Sequence, residues 1–282
     1  MELVEKIKES VAYIQKVYPG NPRIGIVLGS GLGNFTGEIS VEKEIMYDNI
    51  PHFPVSTVKG HPGKLVFGEV SGKKVLVMAG RFHYYEGYSA ADVAYPIRVM
   101  KQLGIETLLI SNAAGGVRIN KTIEGQKQRG FKVGDLMIIS DHISMATVNP
   151  LLGPNSEELG PRFPDMSEPY SRELITMAKK IAADNNIKVE EGVYFGVTGP
   201  TFETRAEYKM IEVLGGDAVG MSTVQEVIVA VHAGMKVFAM SVITDIGIRD
   251  ADNTITHEEV LQAAHEAEPK LTLIFKELIA AL

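Results

Sequence analysis

The sequence predicts a single α/β domain over residues 1–282, built on a central mixed, largely parallel β-sheet flanked by helices. Three observations predict it. Short β-branched runs alternate with stretches of helical period along the chain. Several of those runs are continuously apolar, as strands buried on both faces are. And 282 residues, 45% of them hydrophobic and 22% charged, form a core large enough for a sheet covered on both sides.

The chain opens with an amphipathic helix over Met1–Tyr18. Leu3, Val4, Ile7, Val11 and Ile14 recur at helical spacing, with Glu2, Glu5, Lys6, Lys8 and Glu9 between them, which reads as a first helix rather than a targeting peptide. Strands follow at Ile24–Leu28, Lys64–Val70 and Lys74–Met78, then a helix over Ser89–Leu103. Thr107–Ser111 and Leu136–Ser140 are the next strands, followed by a helix over Ser171–Asn185 and a strand over Val189–Val197. Helices over Thr204–Leu214 and Thr223–Ala233 lead to a strand at Val237–Ile243 and a closing helix over Thr256–Leu282. Two long segments lack either period. Lys121–Lys132 reads as a solvated insertion, and Asn149–Tyr170, with its prolines and apolar Phe163 and Met166, as an ordered loop.

Composition excludes several chemistries. There is no cysteine, hence no disulfide framework, thiolate metal site or cysteine nucleophile. The net charge of −7 argues against a protein that coats nucleic acid, and no apolar run reaches the length of a membrane span, so a cytoplasmic protein is expected. An acidic chain can still bind a small anion where local donors outweigh the global field.

In sheets of this kind ligands sit where strands end, so the loops after strands hold the candidates. Gly29–Phe35 (GSGLGNF) is neither a dinucleotide fingerprint nor a Walker loop; it offers backbone N–H groups and the Ser30 hydroxyl to one small oxyanion, with a plain tight turn as the alternative. Gly80–Tyr88 (GRFHYYEGY) carries Arg81, able to fork onto two phosphate oxygens, and His83, which points the same way if the segment is extended. Leu108–Val117 (LLISNAAGGV) is a buried strand running into small residues that let a flat ligand approach the backbone, or an ordinary strand exit. In Gly196–Tyr208 (GVTGPTFETRAEY), Phe202 offers a stacking face and Glu203 an acceptor for ring N–H groups, unless Glu203 merely complements a helix dipole. Met221 and Ser222 precede a helix that Ser222 or Thr223 can cap, and Thr244 and Asp245 follow a buried strand. The seven histidines form no metal pattern, His257 and His265 being eight residues apart without a suitable carboxylate set, and no hydrolase elbow is present.

In this order the motifs GSGLGNF, GHPG, GRFHYYEGY, SNAAGGV, GPRFPDMS, GPTFET, DAVGMSTVQEV, SVITD and THEEVL resemble those of purine nucleoside phosphorylases of the low-molecular-mass trimeric class, over nearly the whole chain. The resemblance implies the nucleoside phosphorylase fold and a reversible reaction. Inorganic phosphate attacks C1′ of a purine nucleoside or deoxynucleoside, giving the free base and (deoxy)ribose 1-phosphate in purine salvage. It implies a phosphate site at Ser30, His61, Arg81, His83, the backbone of Ala113 and Ser222, and ribose contacts at Tyr85, Met221 and His257. Purine contacts fall on Ala114, Gly115, Phe202, Glu203, Val219, Thr244 and Asp245, and the catalytic set on His83, Glu203, Asp245 and His257. No metal or organic cofactor is implied, phosphate being a co-substrate, and the assembly implied is a homotrimer with no nucleic-acid or membrane partner.

Three departures matter. Where members specific for 6-oxopurines have Asn, this chain has Asp245; ionised, it can only accept, which suits a 6-amino group, and protonated it can still donate to N7. Adenosine is therefore expected beside inosine and guanosine. Leu159 stands where many members reach a neighbouring subunit's ribose with Phe, so weaker sugar binding is expected. Arg118–Lys132 is longer than usual. The alternatives are a methylthioadenosine phosphorylase, favoured by Asp245 and opposed by Glu203 and His257; a hydrolytic nucleosidase; and a non-catalytic nucleoside binder.

Overall fold

The computed structural model describes residues 2–30, 32–55, 63–123, 126–247 and 255–282. Among the described residues six α-helices and eleven strands follow one another as α1 (Leu3–Val17), β1 (Ile24–Val27), β2 (Ser40–Met46), β3 (Lys64–Val70), β4 (Lys73–Ala79), α2 (Ala90–Gln102), β5 (Thr107–Gly116), β6 (Lys121–Ile123), β7 (Gln126–Gln128), β8 (Leu136–Ala146), α3 (Arg172–Asp184), β9 (Val189–Val197), α4 (Arg205–Val213), β10 (Ala218–Gly220), α5 (Val224–His232), β11 (Lys236–Ile246) and α6 (His257–Ala281). Nine strands form one sheet in the order β10-β9-β8-β11-β5-β1-β4-β3-β2. The pairs β1–β4, β1–β5, β5–β11, β8–β9 and β9–β10 are parallel; β2–β3, β3–β4, β8–β11 and β5–β10 are antiparallel. Because β10 pairs with both β9 and β5, five strands close on themselves at one end of the sheet.

The helices bury their apolar faces on this sheet in two groups, α1–α2–α5 and α3–α6, and both α5 and α6 pack on β11. Of the five Ser and Thr residues that opened predicted helices, four are side-chain caps. Ser89, Ser171, Thr204 and Thr256 each accept a hydrogen bond from the backbone N–H three residues on, which stops the helix from extending backward. The central strands β1 and β5 are buried along nearly all their length, as their continuous apolar runs require.

Several expectations change. The residues Asn112–Gly116 do not leave the sheet: β5 runs through them, flanked by β11 and β10. Likewise β11 extends through Thr244 and Asp245 instead of ending before them. The strand β2 lies at the sheet's edge, exposed except for Ile45, and its charges Glu42, Lys43 and Glu44 are what such an edge needs to resist further pairing. Part of the predicted insertion pairs as the two-stranded sheet β6–β7. Residues 149–170 contain neither helix nor strand. Within them Phe163 is 87% exposed, whereas Leu159 is buried in the core of its own chain. Gly160 lies so close to the His232 carbonyl that a Cβ there would come within 2.1 Å, and this approach to the end of α5 accompanies the inward-facing Leu159. In the single chain Leu159 packs against its own core.

Candidate active site

The ends of β1, β4, β5, β9, β10 and β11 converge with the start of α6 around one cavity of about 360 Å³. Its two halves are chemically different.

One half is built on Arg81, just after β4. Its guanidinium is buried, and the fork expected to grip an anion is taken: Nε and Nη2 donate to Glu226 of α5 at 3.0 and 2.8 Å. Nη1 donates to the Ser111 carbonyl at 2.8 Å and to Ser222 Oγ at 3.3 Å. Arg81 therefore lines the cavity as a cation held rigidly from behind, and Ser222 is fixed beside it. His83 is held by Glu86, whose Oε1 accepts from the His83 backbone N–H at 2.8 Å and lies 3.1 Å from Nδ1. The Tyr85 ring stacks on His83 at 4.7 Å, and burial, reinforced by the Glu86 carboxylate, pushes the Tyr85 phenol up to about 12, so it keeps its proton.

Thr223 sits between this half and α5 at φ 71°, a conformation that a β-branched residue rarely adopts. It occupies the cap position of α5 without capping it, contrary to expectation. Instead Oγ1 accepts from Asn112 Nδ2 at 2.8 Å. Asn112 is buried, lines the cavity and has Oδ1 without a hydrogen-bond partner among the described residues, an acceptor suited to a ligand hydroxyl.

The other half is acidic. A bulge in β11 between Ile243 and Asp245 places Asp245 opposite Gly115 of β5. A Cβ on Gly115 would lie 3.0 Å from Asp245 Oδ2, so this side chain needs the glycine. Thr244 Oγ1 donates to Asp245 Oδ1 at 3.1 Å. Glu203, beside the Thr204 cap of α4, faces the same space. Burial raises its carboxyl above the usual range and the Asp245 and Glu207 charges add to the rise, while its own backbone N–H and the nearby Tyr208 hydroxyl oppose it. Phe202 is 41% exposed at the cavity's rim.

Of the residues singled out in the sequence, Ser30, Arg81, His83, Tyr85, Ala113, Ala114, Gly115, Phe202, Glu203, Val219, Met221, Ser222, Thr244, Asp245 and His257 line this cavity. Leu159 does not, and His61 lies outside the described residues. Sequence reasoning assigned no role to Asn112, Pro200, Tyr208, Gly220 and Val260 in the lining, and missed that Glu226 and Glu86 pair with Arg81 and His83. A signal existed for Glu226: it is the lone carboxylate in the mostly apolar helix VQEVIVAVH. Among the described residues no group of three or more His, Asp or Glu side chains could hold a metal ion, and no helix is long and apolar enough to cross a membrane.

Residues 23–280 match the family model of the phosphorylase superfamily. Over 273 residues, 97% of this chain and 96% of the relative, the sequence is 50% identical to purine nucleoside phosphorylase 1 of Geobacillus stearothermophilus. Among solved structures, isoform 2 of the Schistosoma mansoni purine nucleoside phosphorylase, in complex with cytosine and ribose 1-phosphate, is similar with TM-score 0.90 and 47% identity, covering 99% of this chain and 96% of that one. Purine nucleoside phosphorylase of the same organism in complex with adenosine is similar with TM-score 0.91 and 43% identity, covering 99% and 98%.

Proposed function

The chain belongs to the phosphorylase superfamily and, within it, to the purine nucleoside phosphorylases, and from that premise we propose that it phosphorolyses adenosine as well as inosine and guanosine, in ribo- or deoxyribo-form, in purine salvage. The observation that carries this reading is one cavity with a cation–hydroxyl–imidazole cluster in one half and two carboxylates in the other.

Phosphate binds at Ser30, Arg81, His83, the Ala113 backbone and Ser222, with His61 added on the resemblance alone. Arg81 is already fixed by Glu226, so it supplies a preorganised field rather than a flexible fork. Tyr85, Met221 and His257 take the sugar; Ala114, Gly115, Phe202, Val219 and Thr244 enclose the base. As a phosphate oxygen forms its bond to C1′, the C1′–N9 bond breaks and its electron pair passes to the purine. The sugar then carries positive charge beside the bound anion, and the purine's negative charge develops beside Glu203 and Asp245. Glu203 accepts from the N1–H of a 6-oxopurine. Ionised Asp245 accepts from a 6-amino group; protonated Asp245 donates to N7. That a similar phosphorylase is seen in complex with adenosine supports the wider base range. No cofactor enters the scheme, and homotrimeric assembly and a cytoplasmic setting belong to the same reading on the resemblance alone.

Incubation with inosine, adenosine and methylthioadenosine, with and without phosphate, tests it. Ribose 1-phosphate formed from inosine and adenosine only when phosphate is present is the expected result. Free ribose formed without phosphate would mean a nucleosidase, methylthioadenosine as the one good substrate would mean the related phosphorylase, and no turnover would mean a binder.

A further inference from the structure

Glu268 enters neither the sequence reading nor the scheme above, and it does not line the cavity. It stands on the inner face of α6 among Ala264, Ala267, Leu271 and Phe275, where the helical period calls for an apolar residue, and it is only 2% exposed. What it meets there is the loop that follows β1. Oε1 accepts from the Phe35 backbone N–H at 3.2 Å, and Oε2 lies 3.6 Å from His265 Nδ1, which is itself 3.1 Å from Asn34 Nδ2. Phe35 belongs to the first turn of a 3₁₀ helix, Gly33–Glu38, whose cap position falls on Leu32, a residue with no side-chain oxygen to offer. Glu268 supplies from α6 the acceptor that Leu32 lacks. Just before it, the Leu32 N–H donates to the Gly29 carbonyl at 3.2 Å, closing the turn that carries Ser30 to the cavity, and the Gly29 N–H donates to Ser111 Oγ at 3.1 Å. The turn is therefore tied to β5 at one end and, through Phe35, to α6 at the other.

We propose that Glu268 is a positioning residue for phosphate: by holding the Phe35 N–H it fixes the Gly29–Leu32 turn, so that Ser30 stays aimed at the bound anion. The inference rests on the phosphorylase reading. A carboxylate buried on an apolar helix face is costly, so packing alone does not account for it. Burial raises this carboxyl above the usual range, while the Phe35 N–H opposes the rise. The Phe35 ring, edge-on to Phe275 at 6.2 Å, locks the same residue against α6 by its side chain as well. Because His257 at the start of α6 lines the cavity, one helix carries a sugar contact and also backs the phosphate turn. Glu268 touches neither substrate, so its loss should be felt through Ser30 and hence as weaker phosphate binding.

The test is phosphorolysis of inosine, with phosphate and inosine varied in turn, in wild type, Glu268→Gln and Glu268→Ala. We expect Glu268→Ala to raise KM for phosphate about tenfold, the worth of one hydrogen bond to a charged group, while kcat at saturating phosphate and KM for inosine stay within about twofold. Glu268→Gln keeps a carbonyl for the Phe35 N–H and should recover most of the loss. In a Ser30→Ala background, where the turn no longer offers its hydroxyl, Glu268→Ala should raise KM for phosphate by a smaller factor, because the two changes act on one path. An unchanged KM for phosphate, equal rises for phosphate and inosine, or factors that simply multiply with Ser30→Ala would reduce Glu268 to packing and overturn the proposal. Should Glu268→Ala melt early, Glu268→Asp keeps the charge and withdraws the acceptor from Phe35: KM for phosphate should again rise while KM for inosine does not, and an unchanged KM for phosphate overturns the proposal. Wild-type protein that leaves inosine uncleaved in phosphate would overturn the phosphorylase reading and this inference together, whereas an active wild type with unaltered variants overturns the inference alone.

Discussion

Burial holds the Glu203 carboxyl above the usual carboxylate range, and the neighbouring Asp245 and Glu207 charges push in the same direction. A carboxyl whose folded pKa is raised contributes stability that is fully present below its unfolded pKa and is lost as pH rises through the folded value. Above its raised folded value the unliganded protein therefore bears the penalty of an ionised, part-buried Glu203. Glu203→Gln should melt at a temperature that rises relative to wild type as pH increases from about 4, while losing activity toward inosine. A melting difference independent of pH would show that Glu203 titrates like a solvated carboxylate. The residue's place in the cavity was legible because it follows a strand whose end opens there. Tyr208 was not legible: five residues on, it shares the apolar face of α4 with Ile211 and reads as core.

Among the elements, α5 does most to shape the Arg81 half of the cavity, because its Glu226 reaches Arg81 beyond the end of β4. Both side chains are almost wholly buried, so breaking the pair leaves a charge without compensation. Glu226→Ala should lose about 3–5 kcal/mol in urea unfolding, and Glu226→Gln, which keeps shape and one acceptor, should lose less. Phosphate should restore more stability to Glu226→Gln than to wild type, since the ligand supplies the anion that Arg81 then lacks. Equal restoration would separate Arg81 from the phosphate site. The alternation of strands and helices was readable because parallel strands buried on both faces leave apolar runs. Strand ends were not. Ala113–Gly116 look like a turn because they are small, yet they pair on both sides, and their size leaves room for the ligand and for Asp245. The three residues of β10 are too few to show a period, and the charged edge strand β2 hides its own.

Across the whole molecule, the proposed reading has a chain of net charge −7 meeting its anion with a small, rigid set of donors rather than a basic surface. Closure of β10 onto β5 joins the strands that carry the two halves of the cavity, so on that reading phosphate chemistry and base recognition share one frame. The sequence motifs located nearly every lining residue because they sit at strand ends; the carboxylates behind them, Glu226 and Glu86, act through other side chains, so their pairing with Arg81 and His83 could be recognised only in space. The long loop's inward Leu159 was equally out of reach, since its direction accompanies Gly160 meeting the His232 carbonyl. What sets this frame apart is the pair Glu203 and Asp245 at its base end, and the most direct measurement is kcat/KM for adenosine relative to inosine, at saturating phosphate, in wild type and Asp245→Asn. The structure leads us to expect adenosine above about one-thousandth of inosine and a fall in the ratio of about tenfold or more on substitution. Adenosine below about one-thousandth of inosine, with a ratio that Asp245→Asn leaves unaltered, would contradict it.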